Sequence, residues 1–183
     1  MESTKGQLLI ASPRLLDGNF RRTVVLMVEH NEQGALGLVL NRPLRATVRS
    51  IWKQVSKSPC TIKGVVYQGG PCEGPLMVLH GDPSHSEMRV LEGVYFSTNR
   101  TEIERLMAEK QPQLRFFVGY AGWAAGQLES EMEQGGWLLA PASAELVFGD
   151  VQQIWLTIMR RLGRAALSQY VDPRLIPEDP SLN

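Results

Sequence analysis

Several short runs in this chain are apolar almost without interruption: Val24 to Val28, Leu36 to Leu40, Val65 to Tyr67, Leu76 to Leu79, Phe116 to Val118, Trp137 to Ala140 and Leu146 to Phe148. They are too short for helices with one wet face, rich in valine and aromatics, and bounded by Gly, Pro and Asn. That is the pattern of strands covered on both faces. The first two are separated by His30-Asn31-Glu32-Gln33-Gly34, which suits a hairpin loop with glycine near the left-handed position, so antiparallel pairing is expected. Met88 to Ser97 alternates, with Met88, Val90, Tyr95 and Phe96 broken by Glu92-Gly93, and reads as a strand pair or a bulged edge strand.

Helical periodicity falls between these runs. Asp150 is placed to cap a helix in which Val151, Ile154, Trp155, Ile158, Met159 and Leu162 form one stripe, with Gly163 just beyond. Another helix is predicted from about Asn99 to Lys110, with Asn99 or Thr101 opening a capping box, an Ile103, Leu106 and Met107 face, and a stop at Pro112. A third follows Thr47 and sets Val48, Ile51, Trp52 and Val55 on one side. A fourth follows Trp123 with Leu128 and Met132 inward. Hairpins mixed with helical crossovers predict an α/β or α+β class: a mixed sheet or partly closed barrel flanked by helices. The 183 residues fit one domain, expected over 1–171, followed by a proline-rich tail at 172–183.

Composition narrows the function. Lys and Arg total 19, as do Asp and Glu, so the formal charge is zero. This removes the global attraction that nucleic-acid and anionic-membrane binders carry and argues against direct nucleic-acid binding. The first residues lack a secretory pattern, and no apolar stretch reaches the ~18 residues a membrane helix needs. Cys60 and Cys72 have neither CxxC nor zinc spacing. The expectation is a cytoplasmic protein without disulfides, membrane contact or a required cofactor.

The segment from Gly119 through Tyr120, Gly122, Trp123, Gly126 and Gln127 to Glu131 runs from a strand end through glycines into a helix. Such a turn either brings backbone N–H groups to an anionic ligand or serves only a tight strand-to-helix connection. Its spacing matches neither a dinucleotide fingerprint nor a phosphate loop. On the helix, Gln127 and Glu131 share one flank, and Glu129 and Glu133 the other. Glu129 and Glu131 are candidate acid and base groups, or acidic residues favoured by the helix dipole. A second turn, Gln68-Gly69-Gly70-Pro71-Cys72, joins two strands, and His80 ends the second of them as a base, a ligand or a core-edge residue. His80, Asp82 and His85 crowd into one proline-containing loop, which reads as a solvated turn and not a metal site. No nucleophile motif is present, and Arg160, Arg161 and Arg164 are cations expected at a helix C-terminus.

Taken together, these segments resemble the AlgH/YqgE-like family of bacterial proteins. The resemblance rests on Gly6 to Ser12 with Asp17, Phe20 and Arg22-Thr23-Val24-Val25, and on Gly34 to Leu40 with Asn41-Arg42-Pro43. It extends to Gln68-Gly69-Gly70-Pro71 with Leu79-His80, and to Gly119-Tyr120-Ala121-Gly122-Trp123 through Gln127 to Glu131. It spans nearly the whole chain up to the C-terminal helix. It implies a bifurcated sheet, part of it barrel-like, surrounded by helices, and a regulatory role in one branch, with no established reaction. Cys72 stands where such proteins usually carry an aliphatic residue, and His85 belongs to no matching motif.

The leading expectation is a non-catalytic protein that binds a small ligand or a protein partner where these segments converge. The candidate contacts are Asn41, Arg42, Gly69, Gly70, Pro71, His80, Gly119, Gly122, Trp123, Gly126 and Gln127. Gly70 and Gly122 would act as backbone donors, Arg42 would meet an anionic group, and Trp123 would form a stacking wall. Alternatives are an enzyme using His80 with Glu129 or Glu131, and a transcriptional regulator acting directly or through a partner. An oligomer stays open, since the Trp155 and Met159 stripe could face the core or another subunit.

Overall fold

The computed structural model describes residues 2–85, 87–109 and 113–167. The expected helix stop at Pro112 and the tail at 172–183 lie outside the described residues. In chain order the elements are β1 (Gln7–Ala11), β2 (Val24–Asn31), β3 (Gly34–Val39), β4 (Pro43–Thr47), α1 (Val48–Val55), β5 (Val65–Gln68), β6 (Met77–His80), β7 (Met88–Leu91) and β8 (Val94–Ser97). They continue with α2 (Arg100–Ala108), β9 (Leu114–Val118), β10 (Ala121–Ala124), α3 (Gln127–Glu133), β11 (Trp137–Pro141), α4 (Ala144–Phe148) and α5 (Ile154–Leu167).

The strands form two sheets, ordered β10-β3-β2-β1-β11 and β4-β5-β9-β6-β8-β7. The first is antiparallel throughout, and in the second only β5 and β9 run parallel. Neither sheet closes, because the outer strands of each do not pair with one another. The expected barrel-like part is therefore absent, and the bifurcated arrangement consists of two open sheets. The physical reason for the difference is that a strand sandwiched between layers is apolar on both faces, just as a barrel wall would be.

The alternation along each strand sorts the layers. Leu8, Ile10, Val24, Leu26 and Leu38 face Met77, Leu79 and Phe117 of the second sheet, making the inter-sheet core. Their neighbours Leu9, Ala11, Val25, Met27 and Val39 point the other way, onto Trp123, Trp137 and the α3 residue Leu128. Val66, Val78 and Phe116 cover the far face of the second sheet with Val48 and Trp52 of α1 and Ile103, Leu106 and Met107 of α2. α1 starts where Thr47 and Ser50 form a reciprocal capping box, and α2 where the Asn99 side chain accepts from Thr101 and Glu102.

Three local expectations fail. Leu146 to Phe148 is not a strand but part of α4, which Ser143 caps by accepting the Leu146 N–H. Only Val147 of α4 is fully turned into the core, a single residue that carries no period. Asp150 does not cap α5: its carboxylate accepts the Gln152 N–H in a turn, and the helix begins at Ile154. Gly163 lies inside α5 and does not end it. The stripe itself faces the core, with Ile154 and Ile158 each 4% exposed and Trp155, Met159 and Leu162 packed beside them.

Candidate functional site

The glycine-rich segments meet where the chain crosses between the two sheets. It does so after β3, at Leu40 to Arg42, and again after β9, at Gly119 and Tyr120. The loop leaving β5 ties both crossings together. Val39 N–H donates to Gly69 O at 2.8 Å, Gln68 N–H to Arg42 O at 2.8 Å and Gly69 N–H to Val118 O at 2.9 Å. Cys72 and Tyr120 exchange backbone bonds in both directions, each 3.0 Å. A Cβ on Gly69 would overlap the Gly119 carbonyl oxygen, and one on Gly70 would overlap the Tyr120 and Ala121 backbone. Glycine is required here because two backbones touch, not because a phosphate sits between them.

Around this seam lie three depressions that share the Gln68–Gly74 loop. A small cleft of about 70 Å³ is lined by Gly18, Asn19, Val39, Arg42, Gln68, Gly70 and Pro71. Beside it a shallow hollow of about 550 Å³ carries Leu44, Cys72, Glu73 and Gly119 among its walls. Beyond Cys72 an open groove of about 490 Å³ runs along Tyr120, Gly122, Leu36 and Glu29. Arg42 lines the first cleft, and Asn41 precedes it outside the lining. Asn41 Oδ1 accepts the Val24 N–H at 3.0 Å and its Nδ2 donates to Arg22 O at 2.9 Å, while Arg42 Nη2 donates to Arg21 O at 2.6 Å. Arg22 itself has φ +56°, and its guanidinium lies 5.6 Å from the Trp155 ring.

Trp123 is among the residues lining the 490 Å³ groove, but it lines neither of the other two hollows. Its side chain is 6% exposed and packs on the α3 side, 6.1 Å from Phe20 and 6.0 Å from Trp137 between centroids. The indole N–H groups of Trp123 and Trp137 both donate to Glu131 Oε2, at 3.0 and 2.8 Å. Gln127 Nε2 donates to Glu131 Oε1, and Gln127 Oε1 accepts the Ala124 N–H. Gly126, at φ +74°, opens α3.

His80 lies elsewhere. It is fully buried at the end of β6 opposite Leu114, its Nε2 is 3.2 Å from Ser97 Oγ, and its ring is 5.9 Å from that of Tyr95. The glycine seam is at the other end of β9, about 13 Å along the strand. The helix carrying Glu129 and Glu131 packs on the outer face of the first sheet, whereas His80 belongs to the second. The acid and base pairing of His80 with a carboxylate of α3 is therefore not formed.

Glu129 instead meets a histidine that sequence reasoning passed over as a loop residue. His30 Nε2 is 2.9 Å from Glu129 Oε1, and His30 Nδ1 is 3.1 Å from the Thr4 N–H and 2.9 Å from Thr4 Oγ1. Because a backbone N–H can only donate, Nδ1 is the acceptor and Nε2 carries the proton toward Glu129. A β-bulge between Met27 and Glu29 places His30 on this face: it shifts the register by one residue, so His30 comes opposite Ala35 on the α3 side. The Glu129 carboxyl is held below the usual carboxylate range by its own backbone N–H in the first turn of α3, and then by His30. Thr4 is 4% exposed, so the cluster fastens the N-terminal segment to the hairpin and to α3 and offers no accessible nucleophile. A second group the sequence hid is Arg115, 8% exposed, with Nη2 on Gly149 O at 2.7 Å and its guanidinium 4.8 Å from the Tyr67 ring. Burial pulls its pKa below the ordinary arginine value.

Among the described residues no group of His, Cys, Asp and Glu is placed to hold a metal ion, and no helix is long and apolar enough to cross a membrane. Cys60 and Cys72 are both free thiols.

A family model described as DUF179: AlgH-like matches residues 8–166. The chain is 41% identical over 169 residues to a UPF0301 protein of Chlorobium chlorochromatii, covering 88% of each. It is 38% identical over 188 residues to a UPF0301 protein of Myxococcus xanthus, covering 100% of each. Among solved structures, the solution structure of the AlgH protein from Pseudomonas aeruginosa superposes with a TM-score of 0.71 at 33% identity, over 95% of this chain and 93% of that one. A crystal structure of a Corynebacterium diphtheriae protein gives 0.72 at 26% identity, over 88% and 87%.

Proposed function

The chain belongs to the AlgH-like family, and from that premise and the seam between its sheets we propose a non-catalytic binding protein whose primary ligand is a small molecule with an anionic group. The anionic group docks at Arg42, beside Gln68 and the Gly70 backbone, and the rest of the ligand lies in the hollow along Pro71, Cys72 and Glu73. One observation carries the reading: residues from three separate segments, Gly18-Asn19, Arg42 and Gln68 to Pro71, line a single cleft of about 70 Å³ that opens beside a hollow of about 550 Å³. The cleft suits a carboxylate or phosphate, and its neighbour is in the size range of small-molecule sites. Arg42 supplies donors in a fixed fork that matches such anions. The carboxylates of α3 and His80 take no part, since each is engaged on another face of the fold. Cytoplasmic residence and a regulatory output, in which the bound state alters contact with a partner, belong to the same proposal.

The test is a thermal-shift screen with inorganic phosphate, nucleotides, phosphorylated metabolites and organic acids. A ligand at a hundred times its Kd adds about 2.7 kcal/mol, roughly 5–11 °C for a chain of this size. Arg42→Ala should abolish the shift while the unliganded protein melts within about 1 kcal/mol of the parent, since the Arg42 bond to Arg21 O is at the surface. A shift that survives Arg42→Ala, or a screen without any shift, would remove this reading.

A further inference from the structure

The groove beyond Cys72 has a property the anion cleft does not share: it crosses one face of the first sheet, from Glu29 on β2 over Leu36 on β3 to Gly122 on β10, and ends at a strand edge. β10 pairs only with β3 and forms one border of the first sheet. Along its outer side, Tyr120 is paired with Cys72 by two backbone bonds, and the Ala124 N–H is taken by Gln127 Oε1. Alternate residues of a strand direct their backbone groups the same way. The N–H and C=O of Gly122, between those two, therefore also point outward, and no described group takes them.

Gly122 is not a glycine that the backbone conformation demands, because it is absent from the residues with positive φ. It is exposed, and a Cβ there would reach within 3.1 Å of the Tyr120 ring and narrow the groove. A glycine in the interior of a strand weakens it, and such positions often mark the close approach of another backbone. The groove it opens, about 490 Å³, has Leu36 and Tyr120 as apolar floor and Asn31 and Gln33 as polar rim. Among the described residues Glu29 is the one charged residue lining it, and Glu32 and Glu73 are exposed on the adjoining loops.

We propose that the β10 edge is a second binding site, distinct from the Arg42 cleft, which accepts an extended segment of a partner protein carrying basic side chains. One residue of that segment exchanges two backbone bonds with Gly122, as an antiparallel pair does, and continues the line begun by Cys72 and Tyr120. The basic side chain of that residue shares the face of Gly122 and lies across the groove over Leu36 toward Glu29, and a further lysine or arginine of the segment approaches Glu73. The occupant is basic because Glu29 lines the groove, Glu32 and Glu73 flank it and no described lining residue is a cation, and extended because the free groups are those of a strand edge.

The probe is the peptide Ac-Lys-Val-Lys-Val-Lys-NH2, titrated into the isotope-labelled full chain and followed through backbone amide resonances. Perturbation centred on Gly122 and Leu36 is expected. Affinity should fall at least tenfold for Glu29→Lys, for Gly122→Val, and for the same peptide N-methylated at its central residue. Glu29 is exposed and bonded only to Asn31 in the described structure, so Glu29→Lys tests the charge without threatening the fold even where Gly122→Val does. An unchanged melting temperature and an unchanged phosphate response through Arg42 keep the two sites separate. Three results would overturn the proposal: no change at Gly122 at millimolar peptide, equal binding of Ac-Glu-Val-Glu-Val-Glu-NH2, or undiminished binding of the N-methylated peptide. Self-association of the chain through Gly122 that the lysine peptide does not displace would assign the edge to a second copy instead.

Discussion

Replacing Glu131 separates a structural carboxylate from a chemical one. In the folded chain its Oε2 accepts from two indoles, of Trp123 and Trp137, which are 6% and 3% exposed, and its Oε1 accepts from Gln127. Bonds to a charged acceptor contribute about 1.5–3 kcal/mol each, and a stranded buried donor costs about 1–3 kcal/mol. Glu131 is itself half-buried, so water can reach part of the vacated space, and the lower values apply. Glu131→Ala should then lose about 3 kcal/mol, a fall of roughly 6–12 °C in melting temperature for a chain of this length. Glu131→Gln should lose less, about 1–2 kcal/mol. Its carbonyl oxygen can still accept both indoles, but its amide would face the Gln127 amide, which cannot turn over without releasing the Ala124 N–H. Glu133→Ala, on the exposed side of the same helix, should stay within about 0.5 kcal/mol. Chemical denaturation followed by tryptophan fluorescence measures all three, because the two indoles report the site directly. If Glu131→Ala were no more destabilising than Glu133→Ala, the assignment of this carboxylate as a clamp on the tryptophans would be wrong.

At the seam, Gly70→Ala should lose more than about 4 kcal/mol or fail to yield folded protein, because its Cβ meets backbone. Gly18→Ala, on the rim of the same cleft with nothing within 4 Å of its Cβ, should be near neutral in the same thermal melts. Glu129→Gln addresses pH: the folded carboxyl titrates below its unfolded value, so its stabilisation is fully present above about pH 4.3 and is lost as pH falls through the lower folded value. The stability difference between parent and Glu129→Gln should therefore shrink as pH falls below about 4 in urea titrations. A difference that grows below about pH 4 would reverse the sign of the assignment.

Much of the architecture is legible because its signals are local. Thr47 and Asn99 announce α1 and α2 by capping, and Glu92-Gly93 correctly divides Met88 to Ser97 into the antiparallel β7 and β8. β4 is silent by comparison, since Pro43–Thr47 is a half-exposed outer strand with no apolar run. β10 hides inside what reads as a turn, as three glycines in its neighbourhood suppress any strand pattern. His30 could not be placed, because a single-residue bulge at Met27 and Glu29 reverses which face it occupies and leaves no mark in the sequence. The one hint is a histidine two residues after an apolar run, at the point where the hairpin loop is expected. Glu131 shares a flank with Gln127 by its helical spacing, but nothing in that spacing announces two indoles arriving from β10 and β11.

The glycines sort differently once each is asked what its missing side chain would strike. Gly69, Gly70 and Gly119 are accounted for entirely by one backbone crossing another, since a Cβ on any of them meets carbonyls or peptide planes of the opposite segment. Their presence therefore says how the two sheets are joined and nothing about a ligand. Gly122 strikes only the edge of a tyrosine ring, which could turn away, and its φ imposes no requirement. Folding alone would accept alanine there at little cost and gain strand propensity by it. A position that folding leaves free yet keeps bare, on a strand edge with outward backbone groups and an acidic lip, is where a binding requirement can be separated from a structural one. This is why Gly122 and Glu29, rather than the more conspicuous glycine pair at the seam, are the residues at which binding and stability should part.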